Sequence, residues 1–198
     1  MKLDNHTISQ IKKLEEKFKN SGQDLNAYLD GLLFDRYLTY WDYIHLDTLL
    51  SLQNPKTHFP DELIFITYHQ ITELYFKLAI HEIKQIIDNK ALNATIFQEK
   101  VNRVIRYFRM LISSFEIMIR GMERAQFLKY RMSLLPASGF QSVQFRLIEI
   151  YCTPLEHLAH PSLRAKLDKE ASIEEKFEAI YWKQGATNLD NKEKTLTL

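Results

Sequence analysis

The stretch Phe97-Gln-Glu-Lys-Val101-Asn-Arg-Val104-Ile105-Arg-Tyr-Phe108-Arg-Met-Leu111-Ile112-Ser-Ser-Phe115-Glu-Ile-Met118-Ile119 decides the fold. Its apolar residues Phe97, Val101, Val104, Phe108, Leu111, Phe115 and Met118 recur at spacings of 4, 3, 4, 3, 4 and 3. Only a helix brings that period onto one face, and a 3.5-residue seam is the pattern of antiparallel helices in a bundle. Ile105, Ile112 and Ile119 make the stripe too broad for a strict coiled-coil seam. The pattern predicts a helix from Asn93 or Thr95, the latter paired with Gln98 as a cap, to about Met122.

Just upstream, Asp61 and Glu62 sit where a helix N-terminus favours negative charge. A helix starting there is expected to reach about Ile87 and to break at Asp88-Asn89-Lys90. From Pro60 to Gly121 sixty residues pass without a glycine or proline. The whole chain of 198 residues has 5 of each, where average usage gives about two dozen together. Sheets and βα units need tight turns, and tight turns need these residues. The predicted class is therefore all-α, a helical bundle with two long antiparallel helices and shorter flanking helices.

Further out, the reading is one helical domain over 1–198, with an N-terminal helical arm (1–39), a core (40–182) and a polar tail (183–198). The first helix is expected near Thr7, with Thr7-x-x-Gln10 as a capping box and a thin apolar edge of Ile8, Ile11, Leu14 and Phe18. Short helical pieces are expected around Leu25–Leu33 and Leu46–Leu52, before a turn from Asn54 to Pro60. After Pro136-Ala-Ser138-Gly139, helices are expected over Phe140–Tyr151 and Ile173–Trp182.

Composition bounds the function. Lys+Arg 26 against Asp+Glu 25 gives a net charge of +1, and binding to a nucleic acid needs a basic patch that releases counterions. The single Cys152 rules out an internal disulfide and a zinc knuckle, which fits a reducing cytoplasm. No apolar run approaches membrane-spanning length. Cys152 has no neighbouring base to activate it, and no Gly-x-Ser-x-Gly, phosphate loop or dinucleotide fingerprint is present. A di-metal carboxylate bundle needs two Glu-x-x-His motifs, and the chain has none.

The chemistry-bearing candidates are few. On the helix from Asp61, one stripe reads Phe65, His69, Thr72, Phe76, Ile80, Ile83, Ile87. An imidazole set into such a face is either a satisfied core histidine or a group that meets a ligand's polar atom in an apolar pocket. Glu73 and Lys77, one turn apart, read as a surface pair. Arg131 follows Phe127 and Tyr130; it is either a carboxylate clamp or a surface arginine lying over Phe127. Arg103, Arg106 and Arg109 form a basic edge opposite the seam, expected to be solvated. Ser138-Gly139 is expected to cap a helix or to present N–H groups to an anion, and Tyr40 and Tyr43 to pack in a core.

Two segments carry a resemblance. Tyr40-Trp-Asp-Tyr43-Ile44-His-Leu-Asp-Thr-Leu-Leu50, then Asp61-Glu-Leu-Ile-Phe65-Ile-Thr-Tyr-His69-Gln-Ile-Thr-Glu73-Leu-Tyr-Phe-Lys77-Leu, resemble the N-terminal half of the tryptophan 2,3-dioxygenases. Pro136-Ala-Ser138-Gly139-Phe140-Gln141-Ser142-Val-Gln144-Phe-Arg146 is similar to that family's Ser-Gly-Phe-Gln-Ser segment. The resemblance implies a cytoplasmic enzyme in which ferrous haem b and dioxygen open the indole ring of L-tryptophan to N-formylkynurenine, the first step of tryptophan catabolism by the kynurenine pathway. It implies that His69 meets the indole N–H, that Phe65 packs on the indole, and that Arg131 pairs with the substrate carboxylate. Tyr40, Tyr43 and Ile44 match residues that complete the pocket from a neighbouring subunit of a homotetramer, a dimer of dimers. Ser138 and Gly139 match the turn beside the haem.

The sequence departs from the family pattern twice. Phe127 stands where the family usually has a tyrosine, which removes one hydroxyl from the carboxylate site. The family's proximal haem histidine lies on a helix C-terminal to the residues present, and none of His6, His45, His58, His69, His81, His157 and His160 has a matching context. No metal ligand is therefore assigned. The expectation is a chain truncated at its C-terminal end, or a short haem-free relative that binds an indole or oligomerises without catalysis.

Overall fold

The computed structural model describes residues 3–36, 38–161, 163–164 and 171–186. Among them there is no strand, only an isolated antiparallel bridge between Ala159 and Ile180. The all-α expectation holds. The chain forms two compact units, 1–52 and 53–198.

The first unit holds α1 (Asn5–Asn20), α2 (Leu25–Leu33), α3 (Tyr40–Tyr43) and α4 (Leu46–Leu50). Helix α1 starts earlier than Thr7, because the Asp4 carboxylate accepts the Thr7 N–H at 2.7 Å and takes the cap for itself. It ends where Gly22, at φ 69, lets the Gln23 N–H return to the Phe18 carbonyl at 2.9 Å. That left-handed turn is cheap for glycine alone. Beyond it α2 folds back, with the Tyr28 ring 4.6 Å from Phe18.

The second unit is built on α5 (Asp61–Asp88), which pairs with α6 (Ala94–Ser114). Their partners run in opposite order. Tyr68 meets Phe115, Phe76 meets Phe108, and Glu82 meets Lys100 and Arg103, so the two long helices are antiparallel. Ala79 and Ile83 of α5 are buried against Ile148 of α9 (Val143–Cys152), with Phe76, Val104, Phe108 and Tyr151 around them. Ala79, 1% exposed, is the small residue that lets the helices close.

The core holds a buried carboxylate, and it is paired. Glu82, 3% exposed, takes Lys100 at 3.1 Å and Arg103 at 3.4 Å, and Arg103 also reaches Glu99. Arg103, expected to be solvated, is partly exposed and also pairs with the buried carboxylate, which needs cationic partners. Arg106 and Arg109 are exposed. Burial alone would raise the Glu82 carboxyl, but the hydrogen bonds and charges of Lys100 and Arg103 outweigh it and hold the pKa below the usual value.

Several element ends differ from the sequence reading. The helix after Asn93 stops at Ser114 and resumes as α7 (Glu116–Arg120) instead of running through to Met122. The Ser114 hydroxyl donates to the Leu111 carbonyl at 3.0 Å, which also keeps its helical bond from the Phe115 N–H at 3.1 Å. Ile112 and Ile119, expected to widen the stripe, are 76% and 62% exposed. Asn93, not Thr95, caps α6, its side chain accepting the Ile96 N–H. After α8 (Arg124–Tyr130) come a 3-10 turn at Arg131–Leu134 and another at Gly139–Gln141. Ser138 caps that second turn, so α9 begins only at Val143 with Ser142 as its own cap. Beyond α10 (Leu155–Leu158), the Ile173–Trp182 stretch splits into α11 (Ile173–Ala179) and α12 (Tyr181–Gly185). Ile180, 2% exposed, adopts extended backbone to bridge Ala159. The polar tail begins inside α12, and residues 187–198 lie outside the described residues.

Candidate functional site

The N-terminal half of α5 and the short α8 bring together the residues that the sequence singled out. On α5, Phe65 and His69 lie one turn apart, their rings 4.1 Å apart between centroids. On α8, Phe127 and Tyr130 are also one turn apart and meet edge to face at 5.6 Å. Phe65 joins the pairs, 6.2 Å from Phe127 and 6.1 Å from Tyr130. Tyr68 closes the far side, edge-on to His69 at 5.9 Å. Arg131 follows directly, exposed, its guanidinium carbon 5.9 Å from the Phe127 ring centre. The result is an aromatic cluster with an imidazole at one end and a guanidinium at the other.

The imidazole has a defined polarity. His69 Nδ1 lies 2.8 Å from the Phe65 carbonyl oxygen. A carbonyl only accepts, so Nδ1 carries the proton and donates, and in the neutral ring Nε2 is left as an acceptor. Among the described residues Nε2 has no hydrogen-bond partner, and neither does the Arg131 guanidinium. One acceptor in an aromatic wall and one planar cation over a ring can address a flat molecule that bears an N–H and a carboxylate.

Tyr130 is fully buried, and its hydroxyl donates to Met122 Sδ at 3.6 Å. Burial first, then the charges of Asp61 and Glu62, raise its phenol above the ordinary value of 10.0, so it stays protonated and acts as a wall. Two buried carboxylates fix the start of α5. Glu62, 0% exposed, accepts the N–H groups of Lys56 (2.8 Å) and Thr57 (2.7 Å) and the Thr57 hydroxyl, which pins the loop before Pro60. Burial opposes ionisation there, but these hydrogen bonds win and hold the carboxyl below its usual pKa. Asp61 binds the Glu123 N–H, and its own N–H donates to Gln126 Oε1 at 3.3 Å. The sequence reading took both acids only as first-turn charges. Their partners are a loop and a second helix, which helical periodicity does not reveal.

The other candidates fall elsewhere. Glu73 does not pair with Lys77; the Gln144 amide donates to both its carbonyl and its carboxylate at 2.8 Å, tying α9 to α5 one turn beyond His69. Ser138 closes a reciprocal capping box with Gln141, so its polar atoms serve the turn. A Cβ added to Gly139 would meet nothing within 4 Å. Tyr40 and Tyr43 belong to the first unit and are not core residues: they are 74% and 73% exposed, with Ile44 partly buried. A cavity of about 670 Å³ lies at the α9–α10 turn, lined by Cys152, Pro154, Arg164 and Lys176 among others, and includes none of the site residues. No group of three or more His, Cys, Asp or Glu among the described residues is arranged to hold a metal ion. No helix among them is long and apolar enough to cross a membrane.

Fold and site together define an all-α protein whose central helix presents an oriented histidine beside an arginine-flanked aromatic cluster. A family model described as tryptophan 2,3-dioxygenase matches residues 31–180, and the chain belongs to that family. Relatives with the same name include a protein of Ruegeria sp. (strain TM1040), 37% identical over 150 residues, covering 70% of this chain and 53% of the relative. Another, from Herpetosiphon aurantiacus, is 40% identical over 130 residues, 62% of this chain and 50% of the relative. A third, from Bacillus thuringiensis (strain Al Hakam), is 36% identical over 131 residues, 61% of this chain and 44% of the relative. The chain spans about half the length of the curated relatives it matches.

Proposed function

We propose that this chain carries the substrate-recognition part of a haem-dependent dioxygenase that opens the indole ring of L-tryptophan to N-formylkynurenine. The observation that carries the reading is the orientation of His69. Its Nδ1–H is spent on the Phe65 carbonyl, so Nε2 faces a ligand as an acceptor, and an indole N–H is a donor that needs one. Phe65 and Phe127 supply flat apolar walls, and Arg131 beside Phe127 supplies donors for the α-carboxylate. Phe127 brings no hydroxyl, so the carboxylate rests on Arg131.

Tryptophan 2,3-dioxygenases are generally haem-dependent. Among the described residues no cradle for that group is formed: the space beside Gly139 is open, as it is at Gly22, Gly31 and Gly185, and Gln144 holds the following helix against α5. No histidine of this chain stands in the context of the family's iron ligand. A bound haem would supply activation of dioxygen. The chain's own residues hold and orient the indole and its carboxylate. The exposed Tyr40 and Tyr43 support a homotetramer in which one subunit's aromatic segment completes its neighbour's pocket, and the single cysteine supports a cytoplasmic setting.

The test is calorimetry with L-tryptophan and its 1-methyl derivative. The His69 acceptor requires the parent compound to bind about tenfold more tightly, the scale of one lost hydrogen bond in an apolar site. Equal affinity, or binding untouched by His69→Ala, rejects the reading. The alternative is a haem-free tryptophan-binding relative without catalysis. Haem titration separates the two: a Soret band and N-formylkynurenine formation support the dioxygenase, whereas tryptophan binding with neither supports the binder.

A further inference from the structure

The two polar ends of the site sit on different elements, His69 on α5 and Arg131 at the end of α8, and one side chain joins those elements at their roots. Asp61 stands in the first turn of α5, one turn before Phe65 and two before His69, and is 8% exposed. Its carboxylate accepts the N–H of Glu123, the residue from which α8 starts, and its own N–H donates to Gln126 Oε1 at 3.3 Å. Glu123 makes no side-chain cap of its own, and Asp61 accepts the N–H of this N-cap residue from the neighbouring helix, the bond that a capping-box side chain would otherwise make. From this joint α8 carries Phe127 onto Phe65, buries Tyr130 completely and delivers Arg131. Helix α8 is only seven residues long. A change in its seating at Glu123 therefore reaches Arg131 within two turns.

We propose that Asp61 is a positioning residue that sets the spacing between the His69 acceptor and the Arg131 guanidinium, so that one ligand reaches both. The role rests on the tryptophan reading above. Asp61 touches no ligand in this scheme, and it acts through Glu123 and Gln126. A buried carboxylate here could instead serve stability alone. The two roles differ in what they do to ligand discrimination.

The experiment is calorimetry on the full chain with two probes, L-tryptophan and indole. Indole reads the Phe65–His69–Phe127 slot without the carboxylate contact, and the ratio of the two affinities reads whether Arg131 is in register with it. Asp61→Ala lowers the tryptophan-to-indole ratio about tenfold, as expected when a charge-assisted hydrogen bond is no longer aligned. Indole affinity itself changes less than the ratio, because Phe65 and His69 both lie within α5 and Phe127 alone of the slot moves with α8. Asp61→Asn keeps an acceptor oxygen for the Glu123 N–H and restores the ratio. If Asp61→Ala does not fold, Glu123→Pro, compatible with the φ of −78 at that position, removes the N–H that the Asp61 carboxylate accepts and lowers the ratio in the same direction. An unchanged ratio in the folded variants, whether both ligands weaken together or neither does, overturns the positioning role. Wild-type chain that binds neither probe overturns the tryptophan reading itself, and with it any role for Asp61 beyond stability. The failures are told apart because one appears in the wild type and the other only in the variants.

Discussion

The two halves of α5 are one continuous helix with opposite surfaces. Toward its C-terminal end, Ala79, Glu82 and Ile83 are buried, and the one charge among them is neutralised by Lys100 and Arg103 from α6. Toward its N-terminal end, Phe65 and His69 are only partly buried, and His69 keeps Nε2 as an acceptor with no hydrogen-bond partner among the described residues. The same helical geometry thus builds a closed joint at one end and, at the other, the aromatic face proposed to receive a ligand. What separates them is whether the polar groups satisfy each other. A saturated network stabilises the fold, whereas a partly exposed acceptor such as His69 Nε2 is open to water and can exchange it for a ligand donor.

Substitutions break that contrast from either side. Glu82→Ala leaves two cations facing a buried vacancy and is expected to cost about 3 kcal/mol, the low end for breaking a buried pair because Arg103 is partly exposed. Urea unfolding measures it, and the folded fraction should retain its tryptophan affinity. Ala79→Leu forces a larger side chain into the tightest contact of α5 and is expected to cost about 2 kcal/mol by overpacking. At the other end, Arg131→Ala should leave the unfolding midpoint unmoved, because Arg131 is exposed. It should weaken L-tryptophan by about 1.5 kcal/mol, near tenfold, and leave indole unaffected.

The smallest effect is a pH dependence. Glu82 and Glu62 both have folded pKa values held below the ordinary carboxylate value. Their contribution is fully present above the unfolded value of about 4.3 and is lost as the pH falls through the depressed folded pKa. Unfolding free energy should therefore decline only in acid below about pH 4.3. Glu82→Gln should flatten that decline, and His69→Ala should leave it alone.

The closed half was more legible in the sequence than its partners were. The 3.5-residue seam located α6, and the break at Asp88-Asn89-Lys90 located the turn between the long helices. Arg103 was read as solvated because periodicity reports which face a residue occupies and not what lies across from it. Helix α6 ends at Ser114 and resumes at Glu116, a local interruption that an apolar stripe running through to Met118 conceals. On the open half, Phe65, His69, Phe127 and Arg131 were singled out as candidates, the first two by an anomalous imidazole in an apolar stripe, and the structure brings their side chains near one another. The tautomer of His69 and the joint made by Asp61 depend on distances between atoms, and no spacing in the sequence encodes them. Tyr40 and Tyr43 read as core from their spacing, and their exposure places them on a surface instead.

The most direct measurement is nitrogen-15 NMR of the His69 imidazole in the free chain and on addition of L-tryptophan. A protonated Nδ1 with a bare Nε2 in the free protein is expected, with an Nε2 shift on L-tryptophan that 1-methyl-tryptophan fails to produce. A free protein in which His69 carries its proton on Nε2, or an Nε2 signal indifferent to L-tryptophan, is incompatible with an open receptor at this end of α5.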